Sequence, residues 1–108
     1  MTSRQLQRTI DGMVRRIVER FRPDRVILFG SHARGTAGAD SDVDLLVGMP
    51  FSGSKRKKQI EVRIALHEFK VAKDIIVTTP EDFEWRKKIP GTVERPAARE
   101  GKVVYARA

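Results

Sequence analysis

The chain has 108 residues, 40% of them hydrophobic and 33% charged, with 22 Lys and Arg against 14 Asp and Glu and no cysteine. That length fits one hydrophobic core and a single domain over residues 1–108, and it excludes a multi-lobed enzyme. Zero cysteine removes disulfide scaffolds, thiolate zinc sites and cysteine nucleophiles, while the formal charge of +8 points first to a nucleic-acid binder. No apolar run reaches the length of a membrane span. The first twenty residues are polar and charged at helical period, with no uninterrupted apolar stretch, so the expected setting is cytoplasmic, without a membrane partner.

Leu6, Ile10, Met13, Val14, Ile17, Val18 and Phe21 form the apolar stripe of an amphipathic helix. Thr2 and Gln5 fit a capping box that starts it near Ser3, and Pro23 stops it at Arg22. Arg25 to Phe29 reads as a short buried strand closed by Gly30. Residues 30–41 are small and turn-rich: a turn, one helical turn, then loop. Val43 to Val47 is the second strand. Ser54 caps a helix expected from Lys55 to Phe69, with Ile60, Ile64 and His67 on one face, although the alternation of Ile60, Val62, Ile64 and Leu66 would also suit a strand; His67 reads as structural. A third strand runs from Val71 to Thr78. Thr79-Pro80-Glu81-Asp82 starts a helix to about Lys88, a further helical piece covers 91–99, and Lys102 to Ala106 forms a terminal strand.

Three acids stand where strands want apolar residues. Asp42 and Asp44 flank Val43 at the head of Leu45-Leu46-Val47, and Asp74 precedes Ile75-Ile76-Val77. Strand residues two apart share a face, so Asp42 and Asp44 are neighbours with Cα atoms about 6 to 7 Å apart. If the strand of Asp74 pairs beside theirs, three carboxylates converge. Like charges packed so closely raise one another's pKa unless a cation neutralises them. All-oxygen ligation favours magnesium or manganese over zinc. Two such ions can activate an attacking hydroxyl and stabilise a leaving pyrophosphate. Just upstream, Gly30 and Ser31 open a turn whose free amides suit an anion, and Arg34 can place a guanidinium on a phosphate.

Gly30-Ser31-His32-Ala33-Arg34-Gly35 followed by Ser41-Asp42-Val43-Asp44-Leu45-Leu46-Val47 resembles the signature of the minimal nucleotidyltransferases of the DNA polymerase β-like superfamily. The segment Arg99 to Tyr105 is similar to that family's frequent ending. The resemblance implies an α/β (α+β) palm: a small mixed β-sheet with helices packed on one face. It also implies that Asp42 and Asp44 bind two magnesium ions, with Asp74 completing the triad as metal ligand and base. Gly30 and Ser31 would hold ATP or another nucleoside triphosphate. Minimal members are often encoded beside a HEPN-domain protein as toxin–antitoxin pairs, and some transfer AMP to a tyrosine of that partner. The expectation is therefore an antitoxin that moves AMP from ATP to a HEPN toxin.

Two other readings stay open. One is a non-catalytic subunit that docks on a toxin or binds nucleic acid; the other is a small-molecule adenylyltransferase of the aminoglycoside type. Lys55-Arg56-Lys57-Lys58 opposes its helix dipole and reads either as a solvated face or as a surface for polyphosphate or nucleic acid. Arg86-Lys87-Lys88 sits in a last turn, where cations are favourable without any function. His32 reads as a partly exposed loop residue, and Phe83 and Trp85 as core or partner-facing. A homo-oligomer, the acceptor and the preferred base are not fixed by the sequence.

Overall fold

Thr2 and Gln5 close the expected capping box: the Thr2 hydroxyl accepts the Gln5 N–H at 3.1 Å, and the Gln5 side chain accepts the Thr2 N–H at 2.7 Å. From that cap, in a computed structural model that describes residues 2–38 and 40–107, α1 runs over Ser3–Phe21. It ends on Arg22 in the left-handed region (φ 48°), just before Pro23. There follow β1 (Arg25–Phe29), α2 (Ser31–Arg34), β2 (Val43–Gly48), α3 (Lys55–Ala65), β3 (Lys73–Thr78), α4 (Pro80–Arg86), α5 (Glu94–Glu100) and β4 (Lys102–Ala106). Ser54 and Thr79 cap α3 and α4 through their side chains. Among the described residues no helix is long and apolar enough to cross a membrane.

The strands form one mixed sheet in the order β3-β2-β1-β4. β1 pairs antiparallel with β2 and β4, and β2 pairs parallel with β3. Strand alternation sends Val26, Leu28, Val43, Leu45, Val47, Ile75 and Val77 to one face, where they pack on Ile10, Met13 and Ile17 of α1 and on Val62 of α3. This is the main core. Ile27, Leu46 and Ile76 point the other way, onto Phe83 of α4 and Ala97 of α5. The mixed α/β class is as expected, and the two long helices do lie on one face. The difference is that α4 and α5 add a smaller cluster on the other, because Phe83 and Ala97 need apolar cover that only that face offers.

α3 is shorter than its apolar pattern suggests, and its faces are reversed. It stops at Ala65 and buries Val62 and Ala65, while Ile60 and Ile64 stay 45% and 63% exposed. The chain turns there because Leu66 and Phe69 are drawn to the core, with the guanidinium of Arg16 stacked 5.2 Å from the Phe69 ring. Gln59 accepts the Val77 N–H at 3.0 Å, so α3 covers the β3 edge of the sheet. Gly101 enters β4 where a Cβ would collide with the Ala97 carbonyl and Ile27, which only glycine avoids.

On the α4/α5 face one carboxylate is fully enclosed. Glu94 is 1% exposed; its Oε2 accepts from the Thr78 hydroxyl at 2.9 Å and from Arg86 Nε at 3.0 Å, and its Oε1 meets no hydrogen-bond partner among the described residues. Burial pushes the Glu94 carboxyl up, but its own backbone amide, Thr78 and Arg86 outweigh that and hold it below the ordinary carboxylate range. Arg86 is thereby used structurally, and Lys87 pairs with Glu84 at 2.7 Å. Phe83 is buried as core, whereas Trp85 is 53% exposed.

Candidate active site

The parallel pairing of β2 with β3 sets Asp44 opposite Asp74, one residue into each strand. On its other side Asp44 stands opposite Phe29, the last residue of β1 before Gly30. Asp42 immediately precedes β2. Alternation places all three acids on the face that carries Leu46 and Ile76, beyond the end of the apolar cluster. Asp44 is half-buried; Asp42 and Asp74 are exposed.

The Gly30 turn lies directly against Asp44. Gly30 has φ +73° and ψ −155°, a conformation that side chains other than glycine's disfavour. A Cβ there would also collide with the Asp44 carboxylate. The N–H groups of Ala33 and Arg34 both reach the Gly30 carbonyl at 3.1 Å, closing α2, and the amides before them have no acceptor inside such a turn. The loop that carries Asp42 is tied back to this turn: His32 Nε2 donates to the Ser41 carbonyl at 3.2 Å, and Ser41 Oγ accepts the Gly38 N–H at 2.9 Å. His32 is thus a half-buried strut rather than a free loop residue.

Electrostatically the site is in deficit. Burial raises the Asp44 carboxyl, and the Asp74 and Asp42 charges raise it further; His32 and Arg34 offset part of this. Arg34 is exposed and spans 3.4 Å to Glu100 of α5. Asp74 is met by Arg63 of α3 at 3.5 Å, an exposed and therefore weak pair that turns the third carboxylate toward α3. Sequence reasoning missed Arg63; its only trace there is one more cation in a basic helix. Among the described residues no three His, Cys, Asp or Glu side chains are gathered closely enough to hold an ion as they stand. The acids fit magnesium or manganese in kind, as oxygen donors in surplus negative charge, with Asp74 drawn aside. A cleft of about 810 Å³ opens instead on the α1 face past His32 and Ser41, and none of the three acids lines it. The candidate site lies at the open end of β2 and β3.

Comparison with known proteins gives the following. The family model described as "Nucleotidyltransferase domain" matches residues 10–98, which include the Gly30 turn and all three acids. A Methanocaldococcus jannaschii protein named "Putative protein adenylyltransferase MJ0141" is 40% identical over 55 residues, 51% of this chain and 54% of that protein. The match thus spans about half the length of that curated relative. Among solved structures, one described as "a putative nucleotidyltransferase from Sulfolobus solfataricus" superposes with TM-score 0.59 at 22% identity, covering 93% of this chain and 79% of that one. Another, described as "the toxin-antitoxin with AMP-PNP", gives TM-score 0.60 at 17% identity, covering 90% and 73%. At those identities the likeness is one of fold.

Proposed function

The chain belongs to the nucleotidyltransferase domain family, and from that premise we propose that it transfers AMP from ATP to a hydroxyl group, the acceptor being a tyrosine of a HEPN-domain toxin for which this chain is the antitoxin. The observation that carries this reading is the contact of the Gly30 turn with Asp44, in register with Asp74, which puts an anion cradle against a cluster of surplus negative charge. A relative named as a protein adenylyltransferase and a similar fold from a toxin–antitoxin structure with AMP-PNP support the choice of nucleotide and partner.

In this reading Gly30 and Ser31 hold the triphosphate through the amides at the head of α2, and Arg34 swings from Glu100 to a phosphate oxygen. Asp42 and Asp44 hold magnesium or manganese, joined by Asp74 once it leaves Arg63. The metal, when bound, neutralises charge on the phosphates and lowers the pKa of the acceptor hydroxyl. Asp74 accepts the proton of that hydroxyl. The acceptor oxygen forms a bond to the α-phosphorus, the bond from that phosphorus to the bridging oxygen breaks, and pyrophosphate leaves.

The test is incubation with magnesium, labelled ATP and a HEPN protein encoded beside this chain. Label is expected on a partner tyrosine, falling about a thousandfold in the Asp42→Ala, Asp44→Ala variant. No transfer to any such partner, or transfer that persists in that variant, overturns the proposal.

A further inference from the structure

The fold leaves two features of α3 without a structural use. Ile60 and Ile64, one helical turn apart, remain exposed while Val62 and Ala65 supply the core contacts. Beside them stand Arg56, Lys57 and Arg63, all exposed. α3 has no acid in its first turn, so its cations oppose the helix dipole; α4, with Glu81 and Asp82 first and Arg86 last, has the favourable arrangement. Single exposed apolar residues are ordinary, but a pair at helical spacing flanked by three cations, with Glu61 as the one acid and that acid already paired to Lys58, is the pattern of a docking stripe.

The direction of the stripe adds the second argument. Gln59 meets Val77 and Arg63 meets Asp74, so α3 runs along the β3 edge with its C-terminal end at the candidate site. We propose that this face of α3 docks an acidic amphipathic helix of the protein that supplies the acceptor hydroxyl. The partner's apolar residues cover Ile60 and Ile64, and its carboxylates face Arg56, Lys57 and Arg63. This deepens the transferase reading and rests on it. A partner carboxylate opposite Arg63 competes with Asp74 for the same guanidinium, so docking and release of the third acid are coupled through one side chain. Charge complementarity selects an acidic protein segment. Two isoleucines offer little area to a lipid interface, and α3 carries no aromatic side chain on which bases could stack.

The probe is a synthetic amphipathic helix with a leucine stripe, flanking glutamates and one terminal tyrosine, titrated against the full chain by fluorescence anisotropy. The expected result is binding that weakens about tenfold with Ile60→Ser and Ile64→Ser together, and about tenfold with Arg56→Glu and Lys57→Glu together. Magnesium-dependent ATP binding stays unchanged in both. Reversal of the same number of charges on α1, Arg4→Glu with Arg8→Glu, is expected to change peptide binding less than about twofold. Equal weakening by the α1 reversal overturns the proposal, as does tighter binding through α3 to phosphatidylserine vesicles or duplex DNA than to the peptide. Peptide binding through α3 without ATP binding or AMP transfer sinks the transferase reading and leaves the docking surface standing. AMP transfer to a free phenol without peptide binding does the reverse.

Discussion

Asp44 at the head of β2 and Glu94 beside the tail of β3 lie against the same face of the sheet, and their carboxyls are shifted in opposite directions. Burial acts on both and raises both. What differs is the company. Glu94 receives the Thr78 hydroxyl and the Arg86 guanidinium, so its charge is compensated from within the chain. Asp44 has Asp74 and Asp42 as neighbours, with His32 and Arg34 offsetting only part of their charge, and a glycine turn with no side chain to offer. A compensated buried acid belongs to the fold; an under-compensated one at an open strand end keeps a charge that a cation and a phosphate can use.

The comparison breaks most sharply at Gly30. Gly30→Ala forces both an unfavourable backbone and a clash with the Asp44 carboxylate, so AMP transfer should fall about a hundredfold and stability by about 1 to 3 kcal/mol. Gly35→Ala is the control: Gly35 also has positive φ (77°), but a Cβ there meets open space. It should lose less stability and little activity, read by chemical denaturation and initial rates. Equal loss of activity in both variants would show that the Asp44 contact is not what matters.

At the other carboxylate the expected effect is on stability alone. Arg86→Ala leaves Glu94 enclosed with its own backbone amide and the Thr78 hydroxyl but no cation, which should cost about 2 to 3 kcal/mol in urea unfolding, discounted because Arg86 is partly exposed. Adding Glu94→Gln should restore part of the loss, since the residual charge is then gone. Transfer by the folded variant should be unchanged. A cost near that of an ordinary surface ion pair would place Glu94 among the incidental charges.

The two carboxylates also differ in how readily the sequence betrays them. Asp42, Asp44 and Asp74 interrupt apolar strands, and strand periodicity alone predicts that Asp42 and Asp44 share a face; only the parallel pairing of β2 with β3 brings Asp74 beside Asp44. The capping box at Thr2 and the caps at Ser54 and Thr79 are local, and local chemistry reads well. Glu94 carries no such mark. Its partners lie 16 and 8 residues away, and a lone acid in a charged helix predicts neither. The same limit hid Arg63, and it reversed the faces of α3, where Ile60 and Ile64 look like core although Val62 and Ala65 take that place. In each case the deciding partner comes from a different element, and periodicity is silent about which face a neighbour covers.

The smallest expected effect tests the sign of the contrast. The Asp44 carboxyl is raised in the folded chain above its ordinary 3.8, so the folded state holds the proton more tightly than the unfolded state does. Its favourable contribution is therefore complete below that value and lost as pH rises through the raised one. At neutral pH the ionised Asp44 opposes folding, and Asp44→Asn, which keeps the shape without the charge, should raise the melting temperature while removing transfer. Glu94 behaves oppositely: its carboxyl is lowered from 4.5, its contribution is present above that value, and it disappears as pH falls through the lowered one. Glu94→Gln should thus destabilise at neutral pH and cost progressively less in acid. Melting curves of both variants across this range must diverge in sign at neutral pH; if Asp44→Asn also destabilises there, Asp44 is held by the fold as Glu94 is, and the case for a cation-seeking site at the head of β2 is lost.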